Sequence, residues 1–528
     1  MKKRGIKIIE LAIVFALSLA AFVICGCEPK QVALKAPTNL QISGTELTWD
    51  KVESANGYMV IVDGVEKKMT TKNTFDLSVL TKPGKYSVQV MSIGDGQKYS
   101  ASDWSQIKEY VVEAEQSLEY AFYTPANKSY KVVGIGTVTS KEIVVPAFYN
   151  GFPVVCIGYK AFKDNVNITK VTLPETVKEI YGLAFYGCKS LESVVLSYGL
   201  KSIQLGAFSG SGLKSLTIPD SVYNVPGNIV DNCINLESLK LSDNIIDLGN
   251  NFFCNTPKIK SVTLPKSLRT IGRNAFTGSN IKSVIIPKTV ALIYKSAFEN
   301  AILDSIEFEE GSNLSIIEEG AFSGCKNLKT ITIPAAVKEI KEKAFLNCTN
   351  LERVVFEKNS RLKNLNSACF SNTAITEITI PKPLEIVGTY AFDGASKLET
   401  VRFEDDSELT ELLGWAFRNC SNLTVVDFGK NSKVEIFASS VFENCSKLVT
   451  VSIPNTVDYL GSEAFAGCLS LKSIIIPTSV KTMSYSVFKG WTKDQIIYVE
   501  EWTELPEKWY TKWYNESNAT IVLGYRQE

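Results

Sequence analysis

The sequence predicts a solenoid of about fifteen short turns, stacked through a parallel sheet of short strands. The main observation is a phenylalanine, mostly preceded by alanine, that recurs every 22 to 25 residues. A unit of this length cannot enclose a core alone, so each unit must bury its apolar face against the next. The recurring residues are Phe162, Phe185, Phe208, Phe253, Phe276, Phe298, Phe322, Phe345, Phe370, Phe392, Phe417, Phe442, Phe465 and Phe488, with Val230 in the one position that lacks a phenylalanine.

One unit shows how each turn is built. Residues 328–333 place apolar side chains at the spacing L-x-x-L-x-L, which predicts a short strand with Leu and Ile inward and polar residues outward. Pro334 follows and has no N–H to continue the ladder. Val337 and Ile340 then predict a second inward contact on the return side of the turn.

The full pattern L-x-x-V-x-I-P-x-x-V-x-x-I-x-x-x-A-F-x-x-C resembles the BspA-like leucine-rich repeat family of bacterial surface proteins. The likeness covers about 118–528 and includes a first turn at 149–157. It implies a leucine-rich repeat solenoid, which we place at 118–490. The family is associated with surface adhesion and with binding of host or matrix components, so the resemblance implies a binding function.

The first 27 residues predict an export signal. Basic residues precede the apolar run 11–24, which is too short for an ordinary membrane-spanning helix. The run ends Ile-Cys-Gly-Cys, which resembles a bacterial lipobox with Cys27 as the lipidated residue. We therefore expect a lipoprotein signal peptide at 1–26, a linker at 27–34, and a lipid-anchored protein on the extracellular face of a bacterial cell envelope. A plain secretory signal is the alternative.

Residues 35–114 have a different composition, with alternating apolar strands and turn signals. They resemble an all-β fibronectin type III sandwich. In that resemblance Trp49 is the core tryptophan, and Tyr86 is the corner tyrosine whose hydroxyl ties strand to loop. We expect this domain to act as a spacer.

The segment 491–528 departs from the repeat and contains four of the seven tryptophans of the chain. Two apolar stretches, 497–499 and 521–523, predict two last strands. The aromatic cluster has two interpretations: a cap that covers the final turn, or a surface that stacks on sugar rings. We favour the cap because open solenoid ends need covering.

Seven cysteines share one position, three residues after the recurring phenylalanine. They are Cys188, Cys233, Cys325, Cys348, Cys420, Cys445 and Cys468. Because a free cysteine packs as a small hydrophobic residue, the shared position indicates a buried ladder of thiols. Disulfides and metal sites are the alternatives, but the chain has no C-x-x-C and no histidine, which disfavours zinc.

Composition disfavours several functions. The chain has 56 basic and 56 acidic side chains without a basic stripe, which disfavours nucleic acid as a partner. The lack of histidine excludes Ser-His-Asp and Cys-His catalysis. No phosphate-binding, dinucleotide-binding or calcium-binding motif is present. We therefore expect no enzyme activity, no catalytic residue, no cofactor and no metal.

The outward strand positions are the candidate binding face. Hydroxyl residues recur there beside charged ones, and Ser261, Lys282, Ser283, Lys329 and Thr330 lie near the middle. Such a surface can form many small contacts with an extracellular protein or glycan. The alternative is that small residues simply fit a curved parallel sheet.

Three functions are therefore in competition. The first is a surface lipoprotein whose solenoid binds an extracellular protein or glycan. The second is a carbohydrate-binding or enzyme-accessory protein of the envelope, which requires clustered aromatics or carboxylates on one face. The third is a structural spacer of the envelope.

Overall fold

The structure is a computed structural model that describes residues 31–82, 84–112, 117–124 and 128–526. The predicted signal peptide and Cys27 lie outside the described residues. The chain divides into two compact units, Met1–Ala114 and Glu115–Glu528.

The N-terminal unit consists of two antiparallel sheets around one small core. One sheet has three strands and the other has four. A short parallel pair and one turn of 3-10 helix, Leu77–Val79, complete it. The strands are Val32–Ala33, Gln41–Ser43, Glu46–Thr48, Gly57–Val62, Glu66–Thr70, Thr74–Asp76, Gly84–Ile93, Tyr99–Ser100 and Lys108–Val112.

The two aromatic residues singled out in this unit both have structural contacts. Trp49 is buried in the core, where its ring lies 5.2 Å from that of Tyr58 in an edge-on arrangement. The Tyr86 hydroxyl donates a hydrogen bond of 2.7 Å to the carbonyl oxygen of Lys82. This bond fixes the strand to the loop before it.

The C-terminal unit is a parallel β-solenoid, as predicted. In the repeat strands the side chains alternate: Ile331 and Ile333 are buried, whereas Thr330 and Thr332 are exposed. The repeat strands are Glu142–Val144, Lys170–Thr172, Ser193–Val195, Ser215–Thr217, Ser238–Lys240, Ser283–Ile286, Ser305–Phe308, Thr330–Ile333, Arg353–Phe356, Glu377–Ile380, Thr400–Phe403, Val425–Asp427, Thr450–Val451, Ser473–Ile476, Ile496–Glu500 and Thr520–Tyr525.

A second sheet lies on the return side, where the sequence predicted only an apolar contact; it is interrupted once and is parallel apart from two antiparallel pairings near its start. Most of its strands are two residues long, with the second residue buried, as in Glu339–Ile340. The strands of this sheet are Glu119–Thr124, Ser129–Gly134, Phe148–Tyr149, Phe152–Ile157, Glu179–Ile180, Ser202–Ile203, Asp247–Leu248, Thr270–Ile271, Leu292–Ile293, Ile316–Ile317, Glu339–Ile340, Asn364–Leu365, Ile386–Val387, Glu411–Leu412, Ile436–Phe437, Tyr459–Leu460 and Thr482–Met483. The last eleven form one unbroken ladder.

The predicted number of turns, about fifteen, is too low, because the described residues form about 17 turns. The prediction counted positions of the recurring phenylalanine. Two further repeat strands, Ile496–Glu500 and Thr520–Tyr525, follow the last such phenylalanine and pair in parallel. Both strands were predicted from the apolar stretches 497–499 and 521–523, but they were assigned to the cap and not counted as turns because they lack that residue.

The recurring phenylalanines stack into a column inside the solenoid. From Phe253 to Phe488 successive ring centroids are 4.7 to 5.8 Å apart, and the ring planes lie within 24° of parallel. This spacing follows from the distance of about 4.8 Å between parallel strands. Burial of each ring stabilises the fold by roughly 2 kcal/mol.

The turn that carries Val230 is irregular in two ways. Ile229 stands before Val230, and Phe252 stands before Phe253, where most turns have alanine; both are fully buried. These larger side chains add buried apolar volume in the two turns where the column of stacked rings is interrupted. The return sheet is interrupted in the same turn because Pro226 has no N–H to donate to the preceding turn.

In each turn, two residues adopt the left-handed backbone conformation. The first lies two positions before the recurring phenylalanine, and the second lies two positions after it. The later position holds Gly, Asn or Asp in every turn, for example Asn347 at φ 59°. These residue types adopt that conformation at least cost. Its asparagines also bond between turns, as where Asn372 Nδ2 donates to Asn347 Oδ1 at 2.9 Å.

The seven cysteines that share one position are buried, and none is paired in a disulfide. Each thiol donates a hydrogen bond to the carbonyl oxygen of the residue at the phenylalanine position one turn earlier. For Cys348 and Phe322 the distance is 3.1 Å. Burial raises the pKa of the Cys348 thiol to about 12, so the protonated donor is the stable form.

Tryptophans cover the last turns of the solenoid. Trp491, Trp509 and Trp513 are buried in the main core. Trp491 occupies the cysteine position, and its indole N–H donates to the carbonyl oxygen of Phe465 at 2.9 Å, as the thiols do in other turns. These three rings are therefore packed inside and are not exposed for sugar stacking.

Candidate functional site

The five residues predicted for a binding face are all exposed on the repeat-strand sheet. Ser261 and Ser283 are paired on adjacent strands, and Ser283 is paired with Ser305 on the next. Lys329 and Thr330 lie further along the solenoid. The structure therefore places these residues on one surface, as parallel stacking requires.

The charges at this surface are partly compensated. Lys282 Nζ lies 3.5 Å from Asp304 Oδ2. Asn327 donates to Asp304 Oδ1 at 3.0 Å, and this hydrogen bond, followed by the nearby Lys282 and Lys329, lowers the pKa of the Asp304 carboxyl. The surface therefore carries a fixed, ionised carboxylate beside its two lysines.

A groove of about 790 Å³ opens on the repeat-strand sheet directly after these residues. Its floor spans three strands, Arg353–Phe356, Glu377–Ile380 and Thr400–Phe403, and the first of these pairs with the strand of Thr330. The exposed floor side chains are Arg353, Val355, Glu377, Thr379 and Arg402. The groove therefore adjoins the strand of Thr330, whereas the strands of Ser283 and Ser305 form a separate pair.

The walls of the groove arise from a difference in turn length. The strands that end at Phe356 and Phe403 are followed by long turns, whereas the strand between them ends at Ile380 and turns at once through Pro381. A short turn between two long ones leaves a recess. Glu404 Oε2 accepts a hydrogen bond of 2.8 Å from the backbone N–H of Lys382, and this bond fixes one wall.

The same bond recurs at the other wall, where Glu357 Oε2 accepts from the backbone N–H of Ala335 at 2.9 Å. Lys382 Nζ lies 3.4 Å from Asp406 Oδ2. A hydrogen bond from Asn431, followed by the contact with Lys382, lowers the pKa of the Asp406 carboxyl. The wall carboxylates thus already have partners within the protein.

The arginines of the floor are not engaged in this way. Arg353 and Arg402 are exposed, and neither forms an ion pair with any residue in the described part of the chain. Glu377 lies beside Arg353 in the sheet, Thr379 lies beside Arg402, and Val355 adds an exposed apolar patch. Guanidinium groups with free donors are suited to bidentate recognition of carboxylates.

Sequence reasoning found the strand face but not the groove. The signal was present in the spacing of the recurring phenylalanines. That spacing is 25 residues from Phe345 to Phe370, 22 from Phe370 to Phe392, and 25 from Phe392 to Phe417. A short repeat between two long ones indicates a recess at the short turn.

The described residues contain neither a candidate metal site nor a candidate membrane-spanning helix. No group of three or more Cys, Asp or Glu side chains is arranged to hold a metal ion within those residues. Within the same residues, no helix has the length and apolar character needed to cross a bilayer.

The sequence matches the family described as the BspA type leucine-rich repeat region over residues 155–281, 247–364 and 363–493. These matches together cover more than half of the chain, so the chain belongs to this family. No curated protein matches it.

One solved structure of a leucine-rich repeat protein shows the same fold, and two others are similar over part of the chain. A leucine-rich repeat protein from Bacteroides ovatus is 25% identical, with a TM-score of 0.51, and the match covers 78% of this chain and 99% of that one. A leucine-rich cell surface protein from Faecalibacterium prausnitzii is 22% identical, covering 77% and 94%, with a TM-score of 0.34. The pneumococcal vaccine antigen PcpA is 18% identical, covering 77% and 99%, with a TM-score of 0.40.

Proposed function

We propose that this protein is a bacterial surface lipoprotein that binds an extracellular protein or glycan through the repeat-strand sheet. The groove between Arg353 and Arg402 carries the proposal. It combines a recess of about 790 Å³, two arginines without ion pairs and an apolar patch at Val355. A partner that presents carboxylates next to an apolar group would complement this chemistry.

The family and the fold support binding in preference to catalysis. Stacked turns create an extended surface, and repeat proteins generally use such surfaces to recognise partners. The Faecalibacterium relative is described as a cell surface protein, which supports the same location for this chain. We expect no enzyme activity and no cofactor.

Two further parts of the proposal concern attachment. Cys27 would carry the lipid that anchors the protein, and several acyl chains would hold it stably. The N-terminal unit would be a fibronectin type III domain that acts as a spacer. Its two antiparallel sheets, the buried Trp49 and the hydrogen bond from Tyr86 to Lys82 support this assignment.

The test is binding of the full-length protein, in detergent, to an array of extracellular-matrix proteins and glycans. The variant Arg353→Glu with Arg402→Glu should weaken binding at least about tenfold, because each lost charge-assisted hydrogen bond is worth about 1.5–3 kcal/mol. The thermal midpoint should stay unchanged because both side chains are exposed.

The matched control is Arg269→Glu with Arg273→Glu, which makes the same charge change at exposed arginines beside the return sheet. A second pair, Lys282→Glu with Lys329→Glu, tests the neighbouring predicted face. Equal loss in the control would contradict the groove as the binding site. If the array binds nothing, a structural spacer becomes the better function.

A further inference from the structure

Two aromatic side chains from adjacent turns, Tyr390 and Trp415, stack on the surface of the solenoid. Their ring centroids are 5.0 Å apart and the ring planes lie 15° from parallel. Both residues are partly exposed. They lie between the return strand and the recurring phenylalanine of their turns, and not on the repeat-strand sheet that carries the groove.

The backbone at these two positions makes large side chains costly. Each lies two residues before the recurring phenylalanine, in the left-handed conformation, at φ 59° for Tyr390 and 60° for Trp415. Gly or Asn, which suit this conformation best, holds five of the fifteen equivalent positions, and no other of these positions holds an aromatic residue. The fold therefore does not require an aromatic pair here.

Polar groups with fixed orientation surround the rings. Arg418 donates from Nε and Nη2 to the two carboxylate oxygens of Asp393, each at 3.0 Å. Its guanidinium carbon lies 5.2 Å from the centroid of the Tyr390 ring. Asn419 Nδ2 donates to Asp393 Oδ1 at 3.2 Å. Arg418 and Asp393 offset each other's charge, and the Asp393 hydrogen bond, followed by the weaker effect of the Glu443 carboxylate, raises the pKa of the Arg418 guanidinium.

The rings also keep hydrogen-bond donors available. No group in the described part of the chain accepts a hydrogen bond from the Tyr390 hydroxyl or the Trp415 indole N–H, and neither atom is buried. The equivalent position holds Ala368 one turn before and Ser440 one turn after. Neither side chain is large enough to cover a ring face.

We propose that Tyr390, Trp415, Arg418 and Asp393 form a binding subsite for a neutral pyranose unit of a glycan. The C–H face of the sugar would pack on an aromatic ring, and its hydroxyls would bond to the free indole and phenol donors and to Asn419. Free donors at the ring edges suit a polyol better than a purely aromatic ligand. The balanced charge distinguishes this subsite from the groove, where free arginines favour carboxylates.

The experiment measures binding of the full-length protein, in detergent, to immobilised neutral hexasaccharides of glucose, N-acetylglucosamine and mannose. At least one should bind. Tyr390→Asn with Trp415→Asn should weaken that binding about tenfold or more, which corresponds to about 1.4 kcal/mol or more of lost stacking. The unfolding midpoint should be unchanged or slightly raised, because asparagine relieves the left-handed strain.

Three further variants keep the outcome decisive. Tyr485→Asn with Tyr510→Asn removes an exposed aromatic pair with ring centroids 6.2 Å apart and should leave binding unchanged. Trp415→Phe keeps a ring and should retain most of the binding. Arg353→Glu with Arg402→Glu alters only the groove. Its effect on binding tests the proposed function independently, so failure of this proposal can be distinguished from failure of the proposed function.

The proposal is overturned if none of the hexasaccharides binds, or if the control pair weakens binding as much as the asparagine pair does. It is equally overturned if only a hexamer of galacturonic acid binds, since the subsite would then prefer an acidic ligand. A large fall in the unfolding midpoint of the asparagine pair would show that the rings serve the fold.

Discussion

Replacement of Cys348 by alanine should destabilise the protein at neutral pH but stabilise it above about pH 10. The buried thiol donates to the carbonyl oxygen of Phe322 at 3.1 Å, and burial raises its pKa from 9.0 to about 12. Loss of the sulfur and of this bond should cost about 1–2 kcal/mol at pH 7.

The sign of the pH effect follows from the raised pKa. The stabilisation by the protonated thiol is complete below about pH 9 and is lost as the pH rises toward 12. The loss is about 1.4 kcal/mol per pH unit, or about 4 kcal/mol in all. The difference between wild type and variant should therefore vanish near pH 10 and then change sign.

The assay is urea unfolding of the full-length protein between about pH 7 and 11 in the presence of a reductant. Thr373→Ala is the matched control. Thr373 occupies the same position in its turn, and its hydroxyl donates to the carbonyl oxygen of Phe370 at 2.8 Å without titrating in this range. Its effect should be the same at every pH. A Cys348→Ala effect that also stays constant would refute the reasoning.

The remaining predictions concern the core and the anchor. Phe345→Ala should lower the free energy of unfolding, measured with a chemical denaturant, by about 3–5 kcal/mol. Phe488→Ala should lower it by a similar amount, because that ring is equally buried and its centroid lies 4.9 Å from that of Trp491. Near-zero effects would contradict the stacked core. Val230→Phe should destabilise the protein by about 1–3 kcal/mol through overpacking. Adding Phe252→Ala to this variant should recover part of the lost stability. Additive effects of the two changes would show that the two sites are independent. Cys27→Ala should move the protein from the membrane to the soluble fraction, and an intact mass without acyl groups on the wild type would exclude lipidation.

The parallel solenoid could be predicted because its determinants repeat. Alternation within a strand such as Thr330–Ile333 fixes which side chains are buried, and a short period forces neighbouring units to share a core. The return sheet was not predicted, because two residues such as Glu339–Ile340 give too short a pattern to indicate a strand. The two terminal strands were predicted, but they were assigned to the cap and not counted as turns because the recurring phenylalanine is absent there.

The candidate sites were harder to predict because they depend on residues of different turns that become neighbours only after stacking. Tyr390 and Trp415 are 25 residues apart but occupy the same position relative to the recurring phenylalanine, so alignment of the turns brings them together. Arg353 and Arg402 belong to alternate strands and face one groove only because the turn after Ile380 is short. Alignment of the repeats by position would have revealed the first site, and turn lengths the second.

Departures from the repeat therefore have two different causes, and packing distinguishes them. Val230 lacks the usual ring, but Ile229 and Phe252 are larger than the usual alanine and are fully buried, so this departure goes with added apolar volume in the core. Tyr390 and Trp415 are non-glycine residues in the left-handed conformation, are only partly buried, and stack on each other at the surface. Selection for stability alone would replace such residues by asparagine or glycine. In a solenoid of this kind, uncompensated departures at exposed positions are thus the better guide to binding sites, and the repeat itself is the guide to the fold.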